Sequence, residues 1–324
     1  MVKPAAIAFR QTPRPLLVYI LGWGRSGSSI LANILGSLPG AASLGEVRYL
    51  WDRGVVDNGI CGCGAPFSDC EFWPHLPLGG LTLGGIDAER ARGLAASIGS
   101  GARRSQFPAL HGTRARAAYF ERNQADLELL MNIYAAAFEK SGSRVLIDAS
   151  KSPFFALNLL HAERPFDVAF LHLVRDPRAV LHSWKKTKQR EDSSNDQLFP
   201  KYSSTRSLVQ WALVNSRCER FAKLAPDRYF QVRYEDFADD WQSALLSGAG
   251  GLLEASDDPT AMTDKRSAMV HAQHSISGNP SRFDVGEVTL KPDTSWSEAV
   301  TRMDRNLAAM ICGPVAGRYG YSMR

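Results

Sequence analysis

No long apolar run occurs in the 324-residue sequence. A membrane-spanning helix needs about 20 consecutive apolar residues, whereas apolar runs here, such as LLVYIL at 16–21, are far shorter. Residues 1–15, MVKPAAIAFRQTPRP, also lack the apolar core of a secretory signal peptide. We therefore expect a cytoplasmic protein without a membrane span.

Cysteine is scarce, and like charges form no long run. The five cysteines are an odd number, unlike the dense, paired set of a secreted disulfide scaffold. The net charge of +5 fits a small anionic ligand as well as nucleic acid. The densest basic segment is only WKKTKQR at 184–190, so we expect no nucleic-acid partner.

Short runs rich in Val, Ile and Leu alternate with segments of helical periodicity. The predicted strands are 16–21, 144–148, 168–174 and 228–233, and the predicted helices are 28–37, 114–140, 154–161, 177–187, 205–224 and 236–247. This alternation predicts an α/β fold with a central, mainly parallel sheet flanked by helices. Ligands of such sheets bind at the carboxyl ends of the strands.

The sequence contains no internal repeat and no long linker. We therefore expect a single domain over residues 1–324. Two segments depart from the alternation of strands and helices. Residues 51–110 are rich in Gly, Cys and Pro, and we expect them to form an insertion without a strand. Residues 189–204 are polar, and we expect them to form a mobile loop.

A glycine-punctuated turn, GWGRSGSSI at 22–30, connects the first predicted strand to a helix. Such turns bind phosphate because backbone N–H groups and the helix dipole attract an anion. A P-loop lysine would follow the second glycine, but Ser28 stands there and Arg25 is the only cation. The other predicted contacts of the turn are Ser26, Gly27, Ser28 and Ser29. An ordinary strand–turn–helix connection is the structural alternative.

A second strand–helix junction is FLHLVRDPRAVLHSW at 170–184. Arg175 ends the strand, and Ser183 follows eight residues later, about two helical turns along. The two could clamp one phosphate if the helix start turns back beside the strand end. Asp176 could cap the helix or orient an arginine.

With these two segments in this order, the sequence resembles bacterial sulfotransferases that use 3′-phosphoadenosine 5′-phosphosulfate (PAPS). GWGRSGSSIL resembles their 5′-phosphosulfate loop and LVRDPRAVLHS their 3′-phosphate motif, which is carried here by Arg175 and Ser183. FQVRYEDF at 230–237 is similar to a further recurrent segment. The resemblance spans residues 16 to about 240, with a weaker match near 271–283.

The resemblance implies a P-loop-like sulfotransferase fold. It also implies transfer of a sulfuryl group from PAPS to a hydroxyl or amine, which releases adenosine 3′,5′-bisphosphate. The acceptor would be a small molecule, a carbohydrate or a lipid-like compound. Arg25 would act on the bridging oxygen of the leaving phosphate, without a metal.

Two further residues gain catalytic roles from the resemblance. Glu46 in SLGEVRY would be the general base, and Lys151 in LIDASKSP would neutralise the moving sulfuryl group. Alternatively, Glu46 is a surface carboxylate paired with Arg48, and Ser150 or Ser152 merely caps a helix. The rival bases are His111, His271 and His274.

Residues 274–283, HSISGNPSRF, are similar to a C-terminal loop that closes over the cofactor in this family. Arg282 would then contact the 3′-phosphate, and Ser277 or Asn279 the nucleotide. A plain surface turn built on Gly278 is the alternative.

Three cysteines lie in CGCGAPFSDCEFW at 61–73. Their Cys-x-Cys spacing does not match ordinary zinc patterns, although His75 could supply a fourth ligand. A disulfide of Cys61 or Cys63 with Cys70, or free buried thiols, is favoured over zinc. The segment also resembles a family insertion, which implies that it shapes the acceptor pocket with Phe72 and Trp73.

Two alternative functions use the same loop. A P-loop small-molecule kinase would transfer phosphate from ATP–Mg, but it needs a lysine where Ser28 stands and a magnesium-binding aspartate. A non-catalytic nucleotide-binding protein would need no base. The roles of Glu46 and Lys151 therefore discriminate between an enzyme and a binding protein.

Overall fold

The computed structural model describes residues 6–160, 164–186, 201–256 and 264–323. The strands in these residues are β1 (Ala6–Phe9), β2 (Leu16–Gly22), β3 (Ala41–Gly45), β4 (Val145–Lys151), β5 (Asp167–Val174), β6 (Tyr229–Arg233), β7 (Leu253–Ser256), β8 (Ser267–Val270) and β9 (Gly286–Thr289). Five of them form a fully parallel sheet in the order β3-β4-β2-β5-β6. The expected α/β fold is confirmed, and all four predicted strands belong to this sheet.

The central strand β2 is buried along its whole length. Because successive side chains point to opposite faces, Leu17 and Tyr19 join one core while Val18 and Ile20 join the other. A strand buried on both faces reads as a continuous apolar run, which explains why LLVYIL was recognisable in the sequence.

Helices cover both faces of the sheet. They are α1 (Ser28–Gly36), α2 (Ala88–Ser97), α3 (Arg103–His111), α4 (Thr113–Arg122), α5 (Gln124–Ser141), α6 (Pro177–Lys185), α7 (Ser204–Ala222), α8 (Tyr234–Asp239), α9 (Trp241–Ala249), α10 (Trp296–Ala299) and α11 (Arg302–Ala316). None of the helices in the described ranges is long and apolar enough to cross a membrane.

Two predicted helices are each divided by a polar residue. Asn123 separates α4 from α5, and its side chain donates to Tyr119 O at 2.7 Å, in competition with the helical backbone pattern. Asp240 separates α8 from α9 and caps α9 by accepting from Ser243 N at 3.0 Å. The segment predicted as a helix at 154–161 contains a 3₁₀ helix, Phe155–Leu160.

The predicted insertion at 51–110 contains no strand among its described residues. It does contain α2, all of α3 except His111, and all but the first residue of a π-helix, Leu50–Val56; none of these was predicted. Trp51 and Trp73 are fully buried in the same core as Leu17. The insertion therefore forms part of the core. Most of the predicted loop at 189–204 lies outside the described residues, and α7 begins at Ser204.

Two irregularities in the sheet shape its carboxyl edge. Between β2 and β4 the register slips, so that the residues paired with β2 jump from Asp148 to Lys151. Between β3 and β4 it slips between Ser43 and Gly45. Such bulges bend a strand and redirect its side chains. The bulge between Asp148 and Lys151 therefore changes the direction in which the end of β4 presents its side chains, compared with a regular strand.

Candidate active site

A cavity of about 740 Å³ opens at the carboxyl ends of the parallel strands. The loop after β2, the segment after β3, the end of β4 and the residues after β5 all contribute to its lining. Of the described residues that line it, ten are arginine or lysine and three are carboxylates. This excess of positive charge favours an anionic ligand.

The loop between β2 and α1 depends on glycine at Gly27. This residue has φ 89° and is the N-cap of α1, and a Cβ there would overlap the ring of Tyr234. Among the described residues no side chain caps α1, and its first turn contains no acidic residue. The N–H groups of that turn are therefore left for an anion. Ser26 and Ser28 are buried beside them.

Arg25 lies within this loop in the left-handed region, with φ 68°. Its guanidinium is 5.2 Å from the ring centroid of Trp184. Burial lowers the pKa of Arg25, and the charge of Glu46 opposes that shift. Trp184 also stacks on Tyr202, with ring centroids 4.3 Å apart, and contacts Trp23. No sequence motif indicated this aromatic cluster.

Arg175, at the end of β5, connects the two predicted phosphate motifs. Its Nη1 donates to Arg25 O at 3.1 Å, and its Nη2 forms an ion pair with Asp293 Oδ2 at 3.0 Å. The guanidinium also lies 4.3 Å from the ring centroid of Tyr234. Arg175 is nearly buried, and its Nε has no hydrogen-bond partner in the described part of the chain. A donor in this state fits an anionic ligand.

Ser183 lines the same cavity from α6. The structure thus brings Arg175 and Ser183 to one cavity with Arg25. Asp176 caps α6 by accepting from Arg178 N at 2.7 Å and forms an ion pair with the Arg178 guanidinium. Asp293 was not among the predicted site residues, because it lies in a C-terminal segment with no recognisable motif.

Glu46 and Lys151 form an ion pair, with Lys151 Nζ 2.7 Å from Glu46 Oε1. Their side chains are only 12% and 15% exposed. Lys151 has φ 64°, which turns it out of the regular path of β4. Glu46 follows β3, and its backbone N–H donates to Ile276 O at 2.6 Å. Glu46 therefore has Lys151 as its ion-pair partner, while Arg48 lies over the ring of Tyr49 at 4.8 Å.

Several other predicted residues do not reach the cavity. His111 is exposed and bound to Phe107 O, His271 is exposed, and His274 stacks on Phe72. None of these three histidines lines the cavity, and Phe72 and Trp73, expected at the acceptor pocket, are buried in the core instead. Arg282 is buried and donates to Ser275 O at 2.7 Å and Ile60 O at 2.6 Å, away from the lining.

The serines around Lys151 have local partners. Ser150 Oγ donates to Asp148 Oδ1 at 2.5 Å, and Ser152 Oγ accepts from Phe155 N at 3.2 Å at the start of the 3₁₀ helix. Asp148 is fully buried and also accepts from Tyr134 OH at 2.6 Å. Burial raises the pKa of Asp148 to about 6. Its carboxyl group does not line the cavity.

The three cysteines of the insertion are free thiols, not a disulfide. His75, the residue considered as a fourth metal ligand, is exposed and lies outside their cluster. Instead, His274 from the C-terminal segment lies beside Cys61, Cys63 and Cys70. The chain brings these groups together across about two hundred residues.

The profile of the sulfotransferase family matches residues 15–246, which include both predicted phosphate motifs. The chain is also similar to a solved sulfotransferase domain from the Synechococcus PCC 7002 olefin synthase. That likeness has 20% identity and a TM-score of 0.42, and it covers 97% of this chain and 98% of that one. A sulfotransferase domain from the curacin biosynthetic pathway is 16% identical, with a TM-score of 0.43 and coverage of 92% and 98%. No curated protein sequence matches the chain.

Proposed function

Because the chain belongs to the sulfotransferase family, we propose that it transfers the sulfuryl group of PAPS to a hydroxyl or amine of a small-molecule acceptor. The observation that carries this proposal is the meeting of Arg25, Arg175, Lys151 and Glu46 around one cationic cavity. The other product is adenosine 3′,5′-bisphosphate.

The loop after β2 and the start of α1 bind the 5′-phosphosulfate in this proposal. Their N–H groups and the hydroxyls of Ser26, Ser28 and Ser29 supply donors around Gly27. Arg175 and Ser183 bind the 3′-phosphate through charge-assisted hydrogen bonds. Support comes from the unpartnered Nε of Arg175. The contact between Arg282 and the 3′-phosphate stays a prediction. The guanidinium of Arg282 donates to two backbone carbonyl groups, which does not favour that contact.

In the transfer step the acceptor oxygen or nitrogen attacks sulfur, and the bond from sulfur to the bridging oxygen of the 5′-phosphate breaks. Glu46 takes the proton of the acceptor. Arg25 stabilises the charge that develops on the bridging oxygen, and Lys151 stabilises the sulfuryl oxygens. These oxygens compete with Glu46 for Lys151 Nζ, and that competition leaves the carboxylate available for the proton.

A P-loop kinase fits this site less well. Kinases of this type need a lysine in the loop and a carboxylate for Mg²⁺. Ser28 stands in the lysine position, and Asp148, on the strand beside β2, is fully buried and bound by Tyr134 and Ser150. We therefore propose that the transfer itself uses no metal.

We further infer that the acceptor carries an anionic group. PAPS has about four negative charges, whereas ten basic and three acidic described residues line the cavity. Arg103 and Arg217 lie on the same lining, both over the ring of Phe154, at 5.6 and 5.2 Å. Burial, and next the charge of Arg103, lowers the pKa of Arg217. A carboxylate, phosphate or sulfate on the acceptor would relieve this repulsion.

The first experiment compares ligands by thermal shift. Adenosine 3′,5′-bisphosphate should raise Tm in the absence of Mg²⁺, and ATP–Mg should not. Candidate acceptors with and without an anionic group are then incubated with PAPS, and mass spectrometry detects the addition of one sulfuryl group. Stabilisation by ATP–Mg alone, or activity that requires Mg²⁺, would support the kinase instead.

Variants of Arg103 and Arg217 test the acceptor. Replacement of either by Ala should raise KM for an anionic acceptor while leaving the affinity for adenosine 3′,5′-bisphosphate near that of the wild type. Arg92→Ala, on the exposed side of α2, is the control. An unchanged KM in both cavity variants would contradict the anionic acceptor without touching the proposed transfer.

A further inference from the structure

The thiols of Cys61, Cys63 and Cys70 and the imidazole of His274 form a compact group that the proposed reaction does not use. All their potential ligand atoms lie within 4.8 Å of one another. Cys70 Sγ is 3.6 Å from Cys61 Sγ and 3.8 Å from Cys63 Sγ. Nδ1 of His274 is 3.3 Å from Cys70 Sγ and 4.0 Å from Cys61 Sγ.

These separations match the edges of a tetrahedral zinc site. With Zn–S near 2.3 Å and Zn–N near 2.0–2.1 Å, two sulfurs lie about 3.8 Å apart, and a sulfur and a nitrogen about 3.5 Å apart. A disulfide would need one sulfur pair at about 2.05 Å. Instead, Cys70 is nearly equidistant from the other two thiols.

Backbone N–H groups surround the sulfur atoms. Those of Phe72 and Trp73 donate to the sulfur of Cys70, and that of Cys63 donates to the sulfur of Cys61. Outer-shell hydrogen bonds of this kind orient the ligands of a metal site. The turn that presents Cys61 and Cys63 is closed by Gly64 N, which donates to Cys61 O at 2.9 Å.

The imidazole of His274 is held in the orientation that directs Nδ1 to the thiols. Its ring stacks on Phe72 with centroids 5.0 Å apart and an interplanar angle of 11°. Its backbone carbonyl accepts from Trp73 Nε1 at 2.7 Å. Such fixed orientation is typical of a histidine that ligates a metal.

Positive charge lies next to the group. Arg282 donates to the carbonyls of Ile60 and Ser275, the chain neighbours of Cys61 and His274. Three thiolates, a neutral imidazole and Zn²⁺ together carry one negative charge, which this buried guanidinium would balance.

We propose that Cys61, Cys63, Cys70 and His274 bind one structural Zn²⁺ ion. Binding displaces the three thiol protons, and no oxidant or reductant is involved. The ion has four protein ligands and thus no open position for catalysis.

The position of this site in the fold indicates what the ion stabilises. It joins the insertion to the C-terminal segment, and Cys70 and His274 are 204 residues apart in the chain. Two residues after His274, Ile276 pairs with the end of β3, where its N–H donates to Leu44 O and its carbonyl accepts from Glu46 N. The ion would therefore hold the segment that positions the Glu46 backbone.

The test measures zinc in the purified full-length chain by elemental mass spectrometry, without added chelator. We expect about one Zn²⁺ per chain in the wild type and about a tenth or less in Cys63→Ser and His274→Ala. Cys63 is exposed, so its variant should fold. Two matched controls, Cys218→Ser and His75→Ala, change a buried cysteine and an exposed histidine outside the group and should keep full zinc.

A second measurement needs no variant. Protein from which zinc has been removed by a strong chelator should have a lower Tm, which Zn²⁺ restores and Mg²⁺ does not. Reloading with Co²⁺ should give the thiolate charge-transfer and d–d absorption of a tetrahedral site. A wild type without zinc, a disulfide between these cysteines, stoichiometric iron, or an octahedral Co²⁺ spectrum would overturn the proposal. None of these results bears on PAPS binding, which is measured separately.

Discussion

The ion pair between Glu46 and Lys151 allows one prediction to be worked out in detail. Glu46→Gln removes the proposed proton acceptor but keeps the side-chain volume and one hydrogen bond to Lys151. Loss of a general base lowers kcat by about 10²–10⁴-fold, or about 3–5 kcal/mol in the barrier. Lys151→Met removes the cation that is proposed to stabilise the sulfuryl oxygens, and it should lower kcat by about 10²–10³-fold.

The 2.7 Å separation makes the two effects interdependent. If the groups acted independently, the double variant would lose the product of the two factors. Because each group sets the electrostatic environment of the other, we expect the double variant to be little slower than the slower single variant. That outcome corresponds to a coupling energy close to the smaller of the two single effects, about 3–4 kcal/mol.

The same pair also predicts an effect on stability. Breaking a fully buried ion pair costs about 3–5 kcal/mol, and breaking an exposed one about 0–1 kcal/mol. The side chains of Glu46 and Lys151 are 12% and 15% exposed, and Glu46→Gln keeps one hydrogen bond between them. This variant should therefore lower the free energy of unfolding by about 2 kcal/mol. Glu254→Gln is the matched control, since its pair with Arg10 is 45% and 51% exposed, and it should leave Tm unchanged.

Three quantities are measured for each variant. Single-turnover experiments give the rate of transfer, calorimetry gives the affinity for adenosine 3′,5′-bisphosphate, and thermal melting gives the stability. Affinity should stay near the wild-type value in Glu46→Gln, since its proposed role falls in the transition state. Full additivity of the rate losses, or a Glu46→Gln enzyme within about threefold of the wild-type rate, would refute the assigned roles.

Three further predictions concern other parts of the chain. Arg175→Ala should weaken adenosine 3′,5′-bisphosphate far more than adenosine 5′-phosphate in calorimetry, because only the former has a 3′-phosphate; equal weakening would contradict the assignment. Gly27→Ala should abolish nucleotide-induced stabilisation, since φ is 89° and the new Cβ overlaps Tyr234; unchanged binding would show that the loop is not the phosphate site. Burial lowers the pKa of His172 to about 4. Between pH 6.5 and 4 the imidazole of His172 therefore binds a proton in the unfolded chain but not in the folded one. The free energy of unfolding then falls with decreasing pH by up to about 1.4 kcal/mol per unit. His172→Gln should reduce that slope in acid-unfolding experiments, and an identical slope would exclude the contribution.

The sequence allowed the central sheet to be predicted because its strands are buried on both faces. It also indicated that Lys151 and Arg175 would lie at one edge, since each follows a predicted strand of the parallel sheet, whereas Glu46 was assigned from the resemblance alone. The strand β3 was not predicted, because its sequence AASLG is short and consists mainly of small residues. The strand is nevertheless required to bring Glu46 to the edge.

Contacts between distant segments were not predictable from local patterns. Nothing near Asp293 indicated an ion pair with Arg175, which lies 118 residues earlier. In the same way, spacing suggested His75 as the partner of the cysteines, whereas the fold supplies His274. The resemblance near 274–283 suggested a ligand contact for Arg282, but two backbone carbonyls occupy that side chain.

The left-handed backbone at Arg25 and Lys151 has a consequence for how this protein can evolve. Each residue sits at a φ that side-chain-bearing residues avoid, at a cost of about 1–3 kcal/mol. Glycine would relieve the backbone strain at either position, but at position 151 it would also break the ion pair with Glu46. A stabilising glycine substitution is therefore more accessible at Arg25, whose side chain is not part of that pair, than at Lys151.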